Sequence, residues 1–359
     1  MSVKKYLSVF MTVLAMVWAG AWVAAWAGVG HAGASESRTT LTLMTHDSFS
    51  IGKKVIRAFE EKNAVTLKFL KAGDAGAALN RAILSKNNPM ADLFFGVDNA
   101  FLSRAIQADM FEPYHSPLLG DIPELFKLDK TGRLTPIDFG DVCLNYDKKW
   151  FADKKIPPPS SMEDLTDPAY KGLLVVENPA VSSPGLAFLL ATISRFGESG
   201  HLDFWRKLKK NDALVVNGWN EAYWGKFTAA SRGDRPIVVS YATSPAAEVF
   251  FSKEKIDAPP TAAITGAGEC YRQIEFAGIF KGSKNRDAAK KFMDFMLSPA
   301  FQEDIPLNMF VFPVNPNARL PEVFAAHAKT AEKPGAVSHE KIAEKRMEWI
   351  DAWTTEMLR

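Results

Sequence analysis

Two extended segments, residues 135–146 (TPIDFGDVCLNY) and 269–280 (ECYRQIEFAGIF), constrain this chain more than any other feature in it. Neither shows a helical period of apolar residues. Together they separate a middle block from two outer blocks. A chain that leaves one lobe and returns to it through two such crossovers builds a hinged molecule of two lobes. No internal repeat and no low-complexity linker suggests another division. The expected fold class is therefore α/β: two lobes of mixed, mostly parallel sheet flanked by helices and joined by two crossover strands. Residues 35–139 and 277–320 are expected to form lobe 1, residues 140–276 lobe 2, and residues 321–359 a C-terminal helical tail.

The first outer block alternates between the two periods. Strands are expected at 40–45, 65–70 and 91–97, and helices at 53–62 and 77–86, a βαβαβ order that implies a mostly parallel sheet. Polar residues follow each strand: His46-Asp47-Ser48, then Asp74, then Asp98-Asn99. In an open α/β sheet these strand ends converge on one edge, where ligands bind. Turn and capping chemistry accounts for part of this polarity, and Asp98-Asn99 reads best as the cap of the next helix. Asp74 lies between Gly73 and Gly76, which allow close backbone approach, and reads as a ligand contact.

In the middle block, Ser182-Ser183-Pro184-Gly185 precedes a helix expected at 186–196. Two hydroxyls, free N–H groups and the positive end of the helix dipole make this an anion site, whereas capping alone needs a single serine. The helix at 201–210 carries its basic residues where they oppose the dipole and is given no binding role. Two β-branched runs, 214–216 and 237–239, read as buried strands. They end in Asn217-Gly218-Trp219 and Ser240-Tyr241. Trp219, Tyr223, Trp224 and Tyr241 gather near those ends, where flat rings suit a flat ligand. The plainer reading makes Trp219 and Trp224 a cover for the sheet. A last helix is expected at 340–358, with Ile342, Met347, Ile350, Trp353 and Met357 as its packing face.

Lys4 and Lys5, an apolar run at 6–30 and Ala32-Gly33-Ala34 read as a cleavable signal peptide over 1–34, with an uncleaved anchor as the alternative. Those two lysines account for the formal net charge of +2. The balanced remainder carries no footprint for nucleic acid or a membrane surface. The two cysteines, Cys143 and Cys270, sit on different crossovers. Side by side, the crossovers would bring them within bridging reach, but Cα atoms more than about 7 Å apart would rule a bridge out. The chain has no G-x-S-x-G, H-E-x-x-H, Walker A or G-x-G-x-x-G motif, its six histidines are scattered, and no carboxylates stand at an acid/base spacing. No catalytic residue, metal site or cofactor is expected.

A series of motifs runs in order through the chain: T-x-D-S-F at 45–49, A-D-x-x-x-G-x-D-N at 91–99, S-x-P-G-L at 182–186 and G-W-x-E-A-Y at 218–223, then S-Y-x-T-S-P-A at 240–246, F-M-x-S-P-A-F-Q at 295–302 and I-P at 305–306. In this series the chain resembles the periplasmic solute-binding proteins that serve thiamine ABC importers, over nearly all of its length beyond the leader. The resemblance implies a type II periplasmic-binding fold, and a monomer that holds thiamine or its phosphate esters between its lobes and passes them to the permease subunits. It implies that Asp74 contacts the polar face of the cation and that Ser182 and Ser183 take the phosphate. It implies that Trp219 and Tyr241 line the site with rings, with Tyr223, His46 and Phe310 beside them. Three positions depart from the family pattern: His46 stands where it has tyrosine, Ala247 where a second aromatic follows the proline, and Phe310 where it has tryptophan. These departures thin the aromatic cage and bear on the ligand more than on the class of protein. On the same fold, an organophosphate binder is a further alternative. A ferric-ion binder would need adjacent tyrosines where Ser240-Tyr241-Ala242 has one, and a thiamine-degrading enzyme would need a cysteine facing the cleft.

Overall fold

The computed structural model describes residues 38–359, so the leader expected over 1–34 lies outside the described residues. Among the described residues, no helix is long and apolar enough to cross a membrane. The strands are β1 (Thr39–Thr45), β2 (Val65–Lys71), β3 (Leu93–Asp98), β4 (Phe111–Glu112), β5 (Thr135–Asp147), β6 (Leu174–Glu177), β7 (Leu214–Val216), β8 (Ile237–Tyr241), β9 (Thr261–Ala263), β10 (Tyr271–Phe280) and β11 (Phe312–Pro313). The main path through the sheet is β2-β1-β3-β10-β5-β8-β6-β7.

This path has two parallel ends and an antiparallel middle. Strands β2, β1 and β3 are parallel, connected by helices α1 (Lys53–Asn63) and α2 (Ala75–Leu84). Strands β8, β6 and β7 are parallel at the other end. Strand β3 is buried at every position, as a parallel strand covered on both faces must be. Between the two ends, β10 and β5 run antiparallel to each other and to their outer neighbours β3 and β8. These are the two extended segments of the sequence, and the result is the expected two-lobe α/β class.

The β5–β10 register runs from Tyr271 opposite Val142 to Ala277 opposite Thr135, with a bulge between Glu275 and Phe276. One step before Tyr271, Cys270 meets Cys143. Their Cα atoms are 4.5 Å apart and the sulfurs are bonded, which meets the geometric condition for pairing.

Several elements differ from the expected ones for local reasons. Helix α2 starts two residues earlier than expected, because the Asp74 carboxylate accepts from Ala75 N–H and caps it there. The helices expected at 186–196 and 201–210 are one run, Ser183–Lys210, broken only at Gly197, which adopts φ 74° and ψ 169°. Its second half buries His201, Phe204, Trp205 and Leu208 and is more than a surface helix. Asp98 caps the turn ahead of the next helix, accepting from Ala100 and Phe101 N–H, while helix α3 (Leu102–Gln107) begins after Phe101. On the last helix, His339–Leu358, Met347 is 54 % exposed. Five residues beyond Ile342, it points about 140° away from the packing face. Arg346 and Trp349 take the inner positions instead.

That last helix packs on two elements. Trp353 meets Trp205 edge to face at 5.5 Å, and the Arg346 guanidinium lies 5.5 Å from the Phe101 ring. The segment before it is tied to the crossovers: Ala331 N–H donates to Asp141 Oδ2 (2.7 Å), and Gly335 N–H to the Cys270 carbonyl (2.6 Å). Arg272 forks onto both Asp141 oxygens at 2.9 and 2.8 Å.

The disulfide spans a sequence separation of 127. Closing so long a loop restricts the unfolded chain strongly, so replacing both cysteines with serine should lower the unfolding free energy by about 2–4 kcal/mol. Urea unfolding of the double variant checks this, and an unchanged midpoint would contradict it.

Candidate ligand-binding site

A cavity of about 240 Å³ opens where the strand ends of both parallel units meet the crossovers. The turn after β1 supplies His46 to Ser50, and the turn after β2 supplies Asp74. The opposite wall is made by Ser183, Trp219, Tyr223 and Trp224, the floor by Tyr241, Gln273 and Glu275, and the rim by Ala247, Phe251 and Phe310. Of the residues expected at the site, Asp74, Ser183, Trp219, Tyr223, Tyr241, His46 and Phe310 lie on this wall and Ser182 does not.

Asp74 connects one wall to the other. Its Oδ1 accepts from Ala75 N–H (2.7 Å) and Ser183 N–H (3.3 Å). Its Oδ2 accepts from Trp219 N–H (2.8 Å) and the Ser182 hydroxyl (3.3 Å). Gly218 makes this approach possible, since a Cβ there would stand 2.9 Å from Oδ2. Burial pushes the Asp74 carboxyl above its usual range, opposed first by the bond from Trp219 N–H.

The two serines divide their tasks. Ser182 is the N-cap of helix Ser183–Lys210, accepting from Gly185 N–H, and is wholly buried. Only the N-cap position folds its side chain over the helix end. At the next position, the Ser183 side chain reaches the cavity wall, where its hydroxyl has no hydrogen-bond partner. The serine turn therefore leaves one hydroxyl, buried at the cavity wall, without a partner, and turns the Ser183 N–H to the Asp74 carboxylate.

The ring wall is built in layers. Tyr223, only 1 % exposed, stacks behind Trp219 at 5.0 Å and donates to Glu248 Oε1 at 2.5 Å. Trp219 Nε1–H donates to the Ser240 hydroxyl (2.9 Å), which fixes the indole against the Tyr241 ring at 6.4 Å. The Tyr241 hydroxyl donates to Gln273 Oε1 (3.3 Å), and Gly140 leaves room for its ring. At the rim, Phe251 covers the side that Ala247 leaves open and packs on Phe310 at 5.2 Å. Phe251 was not among the expected site residues, although its signal was in the helical period: it is four residues beyond Ala247 on the same helix, Ser244–Phe251.

Glu275 and Gln273 are the other contributors that sequence reasoning missed. Their signal is two polar residues at i and i+2 on an apolar strand, which places both on one face. Glu275 Oε1 lies 3.3 Å from His46 Nε2. The imidazole occupies a slot at Gly96, whose φ is +105° and where a Cβ would stand 2.6 Å from His46 Cδ2. Burial pulls the His46 pKa down, but the Glu275 charge and contact outweigh it and the net shift is upward. On the sheet, Glu275 is in register with Asp98 of β3 and Asp138 of β5, a row of three carboxyls on three neighbouring strands. Burial pushes Asp98 up to about 8. Burial and then the Glu275 charge push Asp138 well up, and burial does the same for Glu177, neither of whose carboxyl oxygens has a partner.

Residues 88–342 match the model of the bacterial extracellular solute-binding proteins. The chain belongs to that family. It is 33% identical to a thiamine-binding periplasmic protein of Brucella suis, covering 91% of this chain and 95% of that one. It is 32% identical to a thiamine-binding periplasmic protein of Escherichia coli, covering 88% of this chain and 93% of that one. Among solved structures, a periplasmic thiamin binding protein superposes with a TM-score of 0.81 at 29% identity, covering 90% of this chain and 98% of that one. A ferric binding protein from Campylobacter jejuni, at a TM-score of 0.69 and 22% identity over 88% of this chain and 99% of that one, shares the fold. The architecture is thus the type II fold of these solute-binding proteins.

Gly96→Ala forces a side chain into a positive-φ position and against the His46 ring. It should lower stability by about 1–3 kcal/mol, read by denaturant unfolding. Unchanged stability would show that the slot does not depend on this glycine.

Proposed function

We propose that this solute-binding protein captures thiamine or its phosphate esters in the cavity, on the periplasmic side of the membrane, and delivers them to the permease of an ABC importer. The observation that carries this reading is the Trp219–Asp74 unit, in which an indole on the cavity wall is joined through its own backbone N–H to a buried carboxylate. A cationic heterocycle finds there a ring face and a countercharge at once. The cation–ring attraction contributes about 0.5–2 kcal/mol, more as water is excluded. Tyr241 supplies the second ring, and the free Ser183 hydroxyl is a donor for a phosphate oxygen. The relatives named for thiamine at 32–33% identity support the same reading.

Degradation of thiamine by a cysteine nucleophile is disfavoured by a specific observation. Cys143 and Cys270 are both buried and bonded to each other, so neither offers a thiolate to the cavity. A binding role asks nothing further of the site.

Titration calorimetry tests the proposal. Trp219→Ala or Tyr241→Ala should weaken thiamine binding by about 1–3 kcal/mol while leaving the fold intact by circular dichroism. Ser183→Ala should cost more affinity for thiamine monophosphate than for thiamine, and equal losses would remove the phosphate role from this serine. Asp74→Asn should weaken both ligands. A parent protein that binds neither would refute the reading.

A further inference from the structure

His46 stands beside Glu275 across the sheet edge. Both side chains line the cavity and both are largely buried, at 12% and 6% exposure. Their closest atoms are at ion-pair distance, yet His46 Nε2 has no hydrogen bond of acceptable geometry. The pair is held by charge and by the slot at Gly96 rather than by an aligned bond, so little directional bonding is lost when the charge moves.

We propose that the His46 imidazolium, paired with Glu275, is the cation that a cationic ligand replaces in the cavity, so that capture expels one proton from His46 to solvent. The proposal rests on the reading of the ligand as a cation. It makes His46 and Glu275 determinants of the charge the site selects.

The surroundings of His46 favour this exchange. Glu275 faces it from β10 and Asp74 from the turn after β2, both raising its proton affinity, while Lys71, which lines the cavity from the end of β2, lowers it. Burial pushes Asp98 and Asp138, the flanking carboxyls of the row, towards their neutral forms. Phe95 closes the other side of the imidazole with its ring, 5.6 Å away. Glu275 and Asp74 thus both favour the protonated form of His46. A fixed positive charge in the same buried space makes the second cation unfavourable, and the group that yields is the one able to lose a proton.

The sign follows from linkage. His46 binds its proton more tightly in the free protein than in the complex. Between those two pKa values each ligand bound releases up to one proton, and affinity rises up to tenfold per pH unit as pH increases. Above the pKa of the free protein, affinity no longer changes with pH. A neutral ligand would give no such slope.

Calorimetric titration of the full-length mature chain with thiamine, in two buffers of different ionisation enthalpy at about pH 6, counts the protons released. Imidazole NMR of the ligand-free protein follows His46 directly, and Glu275→Gln should lower its pKa. The expected result is release approaching one proton per thiamine, lost in His46→Gln, whose affinity varies less with pH. Binding of thiamine without proton release, or with release unchanged in His46→Gln, overturns this proposal and leaves the thiamine reading standing. No binding of thiamine overturns both. If His46→Gln fails to fold, the NMR titration of the native protein with and without thiamine decides: a His46 pKa that does not fall on binding overturns the proposal.

Discussion

The antiparallel pairing of β5 with β10 is the constraint on which the rest of the molecule depends. Both parallel units hang from it, β3 on one side and β8 on the other. Its register sets Cys270 opposite Cys143 and Glu275 opposite Asp138, and β3 sets Asp98 on the far side of Glu275. Strand side chains alternate, so a slip of one residue would turn Gln273 and Glu275 out of the cavity and Ile274 into it. Position in the fold and chemistry in the cavity are fixed by the same hydrogen bonds. The disulfide and the Arg272–Asp141 fork hold that register at its open end.

Across the cavity a single carboxylate connects what the crossovers carry. Asp74 caps α2 and accepts from the two turns of the middle block that line the opposite wall. A buried carboxylate that accepts several N–H and O–H bonds is stable only where all of those donors arrive together. The closeness of Gly218 and the N-terminus of helix Ser183–Lys210 meet that requirement. The same contacts set the orientation of Trp219, so the proposed recognition and the joining of the walls use one group.

The parts of this structure legible in the sequence are those that local pattern decides. The crossovers could be read because 135–146 and 269–280 lack a helical period, and Asp74 because two glycines flank it at a strand end. The rings at 219 and 241 followed from two short β-branched runs. What escaped depends on partners distant in sequence. Nothing near Glu275 announces that Asp98 and Asp138 will stand beside it, because that follows from a register set by strand pairing. Ser182 and Ser183 look alike in sequence, and one step around a helix end separates a cap from a wall residue. Phe251 and the exposed Met347 were different cases: both obey the helical period, and a stricter count of it would have placed them correctly.

The solute proposed for the cavity is a cationic aromatic of the thiamine class. The most direct measurement is mass spectrometry of the small molecules released when protein purified from its native periplasm is denatured. The expected result is the mass of thiamine or one of its phosphate esters, in a ratio approaching one per chain. Recovery of an anionic sugar phosphate or of iron in that ratio, with no thiamine, would contradict it.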